Sequence, residues 1–285
     1  SGWASGGKAY AETYDLNAMS GSAKKEDGIS TQEKIKLDDF DELQADLTIG
    51  DLNILPSGDD SCYLSWRIPA KNGKTAVEYQ VKDGVLNLRE TKAVSGYTHI
   101  NIDFMGEVLS SGDESGSGVT LYLPEKKVLK NIDVTMDFGD VQMNGVQAES
   151  GSIESDDGDI VLYGCKMQDV KIEADYGDVE LKSGTWENGS ITLDDGDVSI
   201  RSTKLSGDIS ISNSYGDIDL ELAKKDLEQM GITAKTDLGD IDVPDEMEDL
   251  VQGETGEYSF SYTPDQPVGR LKLVNDDGDI TIEND

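Results

Sequence analysis

From about residue 35 onward, apolar residues alternate with polar ones in short runs that end at glycine, aspartate or asparagine. GVLNLRE (84–90), THINIDF (98–104) and VTLYLPE (119–125) are examples. A period of two places alternate side chains on one face, so these runs predict half-buried strands. Helical spacing is confined to KKDLEQM at 224–230 and, more weakly, to 245–251. Residues 1–34 are polar and rich in Gly, Ser, Ala and Lys, and they read as an extended lead-in or linker with room for one strand or short helix.

The second half repeats one motif, Asp-x-Gly-Asp-(Ile/Val)-x-aliphatic. It occurs as DFGDVQM (137–143), DDGDIVL (156–162), DYGDVEL (175–181), DDGDVSI (194–200), SYGDIDL (214–220), DLGDIDV (237–243) and DDGDITI (276–282). Its glycines are spaced 19, 19, 19, 20, 23 and 39 residues apart, and TIGDLNI (48–54) is an earlier echo. Five residues before each glycine stands Val134, Ile153, Ile172, Ile191, Ile211, Ala234 or Leu273. Two after it stands Val141, Ile160, Val179, Val198, Ile218, Ile241 or Ile280. Each repeat is thus two strands joined at a Gly-Asp turn, each with one apolar face. A single unit cannot bury that face, but stacked copies can, with equivalent positions about 4.8 Å apart. The expected fold is all-β: a single-stranded parallel β-solenoid (β-helix) with coils of roughly 19–20 residues and a more irregular N-terminal β region. The expected organisation is a lead-in over 1–34, N-terminal β structure and first coils over 35–125, and the repeat solenoid over 126–285. An insertion near 248–268 interrupts the repeats and is the expected place for a non-repeated site.

The position before each glycine reads Phe138, Asp157, Tyr176, Asp195, Tyr215, Leu238, Asp277, so charged and apolar residues largely alternate. Stacked aspartates would repel by roughly 1 kcal/mol per pair even in water, and the alternation spaces them two coils apart. Charge enters here at a larger scale. With 59 acidic against 24 basic residues the formal net charge is −35. Such a chain repels nucleic acid and bare anionic membranes. A single histidine, His99, excludes a His-rich zinc site and a two-histidine mechanism. Two cysteines, Cys62 and Cys165, make no disulfide framework and read as buried small apolar residues, with a single bridge between them as the alternative. No run is long and apolar enough to cross a membrane, and contact with one is expected only through an anchor. The first residue is Ser1, so a removed signal peptide or anchor ahead of it is also expected.

The run VTLYLPEKKVLKNIDVTMDFGDVQM (119–143) and the GD(I/V)x(L/I) repeats after it resemble the bacterial "putative adhesin" family of repetitive β-solenoid domains. The resemblance covers about 37–285. It implies an extracellular or cell-surface domain, membrane-anchored in the full-length protein, and brings no catalytic residues.

Candidate chemistry comes from the turns. Asp137, Asp140, Asp156, Asp159, Asp175, Asp178, Asp194 and Asp197 recur on one edge, and calcium bridging adjacent coils is one reading of them. The other is that they cap turns and keep the surface soluble. No other cofactor is expected. The DDGD runs at 156–159, 194–197 and 276–279 offer paired carboxylates for glycan hydrolysis. However, they sit at a structural repeat, with no cationic cluster to hold an acidic sugar. THINIDF places His99 in an ordinary strand. Trp66 in YLSWRIP reads as core, whereas Trp186 falls in an inter-strand turn and is the better candidate for stacking on a ligand. The expected function is a non-catalytic cell-surface structural or interaction module for a protein, glycan or envelope component. The competing classes are an extracellular sensor ectodomain and a polysaccharide-active enzyme.

Overall fold

The computed structural model describes residues 29–69, 77–90 and 118–285. Two β-sheets enclose one apolar core. Each complete repeat gives one strand to each sheet. The longer strand precedes the Gly-Asp turn and the shorter follows it, as in Lys166–Tyr176 then Val179–Lys182, and Thr185–Asp195 then Val198–Arg201. Alternation sends one residue in two inward, and equivalent residues of successive repeats lie side by side. In one sheet Val141, Ile160, Val179, Val198 and Ile218 pair in that order, all parallel. In the other, Val134, Ile153, Ile172, Ile191 and Ile211 do the same. All ten are buried. The apolar columns read from the sequence are therefore the core, and the fold is all-β and solenoid-like.

The echo TIGDLNI belongs to the stack. Leu52–Pro56 pairs parallel with Val141–Asn144, and Glu42–Leu47 pairs parallel with Asn131–Met136. The stacking is not parallel throughout, because both sheets are mixed. Ile29–Leu37 joins Cys62–Pro69 antiparallel, and that strand joins Gly118–Leu123 antiparallel. Ile29–Leu37 begins inside the stretch read as a lead-in. In the second sheet Val77–Lys82 closes the same end against Val85–Glu90. THINIDF and His99 lie outside the described residues.

The far end departs from sequence order. The strand Lys204–Tyr215 pairs not with Met230–Leu238 but with Gly269–Asp277, and Met230–Leu238 pairs on the other side of Gly269–Asp277. In the first sheet Ile280 likewise lies between Ile218 and Ile241. The last repeat is thus inserted between the fifth and sixth. A short α-helix, Lys224–Leu227, follows Leu222 and steps the chain past one coil position, which the C-terminal coil then fills. The second helix candidate is a 3-10 helix, Asp245–Leu250.

The excursion near 248–268 forms an antiparallel hairpin, Val251–Glu254 with Glu257–Tyr262, whose second strand adds antiparallel to Met230–Leu238. Phe260 and Met247 are buried at this end. The hairpin occupies the edge that another coil would otherwise extend, so it caps the stack.

Candidate functional site

The turn edge is built by the chain's own repeat. The aspartate after each turn glycine, except Asp240 in the last coil of the stack, accepts a hydrogen bond from the backbone N–H of its counterpart in the next coil. Asp140 donates to Asp51 Oδ1 at 2.7 Å, Asp159 to Asp140 at 2.8 Å, Asp178 to Asp159 at 2.8 Å and Asp197 to Asp178 at 2.8 Å. The series continues from Asp217 to Asp197, from Asp279 to Asp217 and from Asp240 to Asp279, in spatial order. A carboxylate is a strong acceptor for an amide that would otherwise lose its partner at a turn. Of the calcium candidates, Asp140, Asp159, Asp178 and Asp197 therefore each commit one oxygen to the scaffold. Asp137, Asp156, Asp175 and Asp194 form a separate column three residues earlier. Among the described residues, no group of three or more His, Cys, Asp or Glu side chains is gathered as a metal site would need. The ladder starts at Asp51, where burial pushes the carboxyl pKa up against the opposing pull of the Asp140 N–H.

The first turn has a different partner. Glu90 accepts hydrogen bonds from Ile49 N–H at 2.9 Å and Gly50 N–H at 2.7 Å. Burial raises its pKa, and those amides partly offset the rise.

Trp186 is not a turn residue. It lies in the strand Thr185–Asp195 and is only 1% exposed, so its face cannot stack on a ligand. Its alternation with polar neighbours in KSGTWENGS was the available signal, but the flanking glycines suggested a turn. Trp66 is core as expected and donates from Nε1 to Ser30 Oγ at 3.1 Å. Cys62 and Cys165 are both buried and unbridged. Burial pushes the Cys165 thiol up to about 11.

A site not anticipated from the sequence lies on the outer face of the N-terminal coils. It is a groove of about 630 Å³. Ser65, Thr120, Asn53 and Gln142 form one row across its floor, because their strands hold them in register. A bulge between Gln32 and Ile35 takes Glu33 and Lys34 out of pairing, and both residues line the rim. Bulges commonly re-aim side chains in this way. Lys34 Nζ lies 4.2 Å from the ring centre of Tyr122 and 4.6 Å from that of Tyr63. Gln32 Oε1 and Asn144 Oδ1, both in the lining, are buried without a hydrogen-bond partner. A buried acceptor left unpaired costs roughly 1–3 kcal/mol, so each calls for a donor from outside the chain, a water or a ligand group. The groove was hidden in the sequence because its residues come from five strands far apart in the chain, only two of which belong to the repeat motif or its echo.

Solved structures resemble the chain at low identity. One is described as a "putative adhesin" from Bacteroides fragilis, with 15% identity and a TM-score of 0.42, covering 90% of this chain and 97% of that one. Another is a "putative cell adhesion protein" from Clostridium sporogenes, with 14% identity and a TM-score of 0.33, covering 90% and 100%. A third is a "putative adhesin" from Parabacteroides distasonis, with 12% identity and a TM-score of 0.35, covering 90% and 98%. No curated protein matches the chain. The family model described as Toastrack DUF4097 matches residues 8–283.

Proposed function

The chain belongs to the Toastrack DUF4097 family, and from that premise we propose that it is a non-catalytic interaction module of the cell surface that takes a neutral, hydroxyl-rich ligand such as a glycan in the N-terminal groove. The carrying observation is the pair of buried, unpartnered acceptors, Gln32 Oε1 and Asn144 Oδ1, in a groove floored by amide and hydroxyl side chains. Amides and hydroxyls can exchange hydrogen bonds with sugar hydroxyls, and Tyr122 adds an aromatic wall. The volume lies within the usual range for ligand sites. The strong acidic excess selects against acidic sugars. A hydrolytic reading fits less well, since the DDGD carboxylates recur at every second coil and Asp159 and Asp197 are engaged by backbone amides. The family resemblance and the cell-adhesion names of the similar structures agree with a surface location.

Titration of the intact chain with a panel of neutral oligosaccharides tests this reading. Saturable binding is expected for at least one, and Asn53→Ala with Gln142→Ala should abolish it at unchanged melting temperature. No binding across the panel, or binding that survives both substitutions, would overturn the groove.

A further inference from the structure

The column just before the turn glycines has a feature visible only in three dimensions. In chain order its alternation fails at the end, where Leu238 follows Tyr215. In space, the inserted coil places Asp277 between them: Tyr215 pairs with Asp277, and Asp277 with Leu238. Earlier in the column Asp157 pairs with Tyr176, Tyr176 with Asp195, and Asp195 with Tyr215. Phe138 precedes Asp157 by continuation of the register Met136 to Ser155. The column therefore reads Phe138, Asp157, Tyr176, Asp195, Tyr215, Asp277, Leu238, with no break.

Separating like charges explains the alternation but not the residues that separate them. Serine or threonine would dilute the charge equally well and cost nothing in exposed apolar area. Instead all four separators are large and mostly apolar, and all four face solvent: Phe138 is 66% exposed, Tyr176 60%, Tyr215 61% and Leu238 62%. They make up half of the exposed large hydrophobic residues among the described part of the chain. Aligned exposed apolar residues of this kind mark interaction surfaces.

Charge and spacing select the occupant. A second copy docking through the same edge would oppose aspartate to aspartate, so the partner is cationic. Neighbouring strands lie about 4.8 Å apart, so the apolar residues recur every ~9.6 Å and the whole row spans ~29 Å. A polyproline II helix advances ~3.1 Å per residue and repeats every three residues, or ~9.3 Å, so three turns stay within about 1 Å of the row. An extended strand presents one face every ~6.7 Å and falls out of step at once. An α-helix offers ~10.8 Å every two turns and drifts by more than 3 Å over the same length. Polyproline II segments also dock naturally on aromatic rows, and they lose little conformational freedom in doing so.

We infer that this edge binds a basic, proline-rich segment of another protein in the polyproline II conformation. Its apolar turns pack on Phe138, Tyr176, Tyr215 and Leu238, and its Lys or Arg side chains reach Asp157, Asp195 and Asp277. This does not depend on the groove, which lies on a different surface and would take an uncharged ligand.

The test uses the intact chain and labelled peptides of about twelve residues, roughly four polyproline turns. One peptide repeats Pro-Pro-Lys and the other Gly-Ser-Lys at the same charge, with affinity read by fluorescence anisotropy at physiological salt. The proline peptide should bind at least about tenfold more tightly, and Tyr176→Ser with Tyr215→Ser should remove about tenfold or more of that affinity. Both tyrosines are exposed, so an unchanged melting temperature would confirm that the variant is folded. Asp195→Asn should weaken binding and flatten its salt dependence. Equal binding of the two peptides would mean simple polycation attraction and would overturn the inference. So would indifference to the tyrosine substitutions, or tighter binding of a cationic amino-sugar oligomer than of the proline peptide.

Discussion

At the residue scale, the turn glycines and the aspartates beside them carry most of the specification. Gly177 has φ of +123°, and a Cβ there would run into the carbonyl oxygen of Gly158 in the neighbouring coil. Gly145 also has positive φ, +68°, but a Cβ would meet nothing within 4 Å. Gly177→Ala combines backbone strain with a collision and should cost about 3 kcal/mol, near the upper end for single substitutions. Gly145→Ala carries only the left-handed penalty and should cost about 1 kcal/mol. Urea unfolding of the two variants checks the ratio. Asp178 separates in the same way by chemistry. Asp178→Asn keeps an acceptor for the Asp197 N–H and should cost little, whereas Asp178→Ala orphans it and should cost roughly 1–2 kcal/mol. Because the carboxylates from Asp51 to Asp279 along the ladder each commit an oxygen to a backbone N–H, and no three ligands converge among the described residues, calcium should raise the melting temperature no more than magnesium at the same millimolar concentration. A calcium-specific rise would favour ions bridging the coils.

At the element scale, the strands were legible in the sequence and their order was not. Period-two alternation and the Gly-Asp turn fixed which residues face inward, because both are properties of a single coil. The order of the last coils depends on how far the helix Lys224–Leu227 carries the chain before the next strand begins, and hydropathy does not encode that distance. The broken alternation at Leu238 and Asp277 was the one clue to it. The excursion near 248–268 was visible as an interruption but not as a cap, since its antiparallel pairing with Met230–Leu238 is a long-range contact. The groove was equally hidden, because Ser65, Thr120, Asn53 and Gln142 meet only through mixed pairing of distant strands. The insertion has a consequence for local stability. Met230–Leu238 touches the rest of its sheet only through Gly269–Asp277 and the capping hairpin. A chain ending at Tyr262 should therefore lose amide protection over 230–262 while 151–201 stays protected. Hydrogen exchange resolved by peptide would show this, and uniform loss across both segments would mean that the coils unfold as a single unit.

At the scale of the whole molecule, the acidic excess divides into parts with opposite pH behaviour. Burial raises the carboxyl pKa values of Glu90, Asp51, Asp137 and Asp219 in the folded state. A carboxyl whose folded value lies above its unfolded one stabilises the fold most when protonated in both states, and that contribution fades as pH rises through the folded value. Ion pairing or hydrogen bonding lowers the values for Asp41, Asp59 and Glu246, so their contribution is present at neutral pH and is lost only below the ordinary carboxylate range near 4. The two windows do not overlap. Lowering the pH from neutral toward the ordinary carboxylate range relieves the buried carboxylates and the general self-repulsion of a chain at −35 before the surface pairs break. The urea midpoint should therefore rise as the pH falls toward that range and drop again below about pH 4, the ordinary carboxylate value. Glu90 supplies the control, since it is the carboxylate that holds Ile49 and Gly50 N–H at the first turn. Glu90→Gln keeps an acceptor there but removes the titration, so it should flatten the rise seen as the pH falls from neutral. An unchanged slope would assign the acid stabilisation to the aspartate-lined edge instead, where added salt should reproduce it at neutral pH.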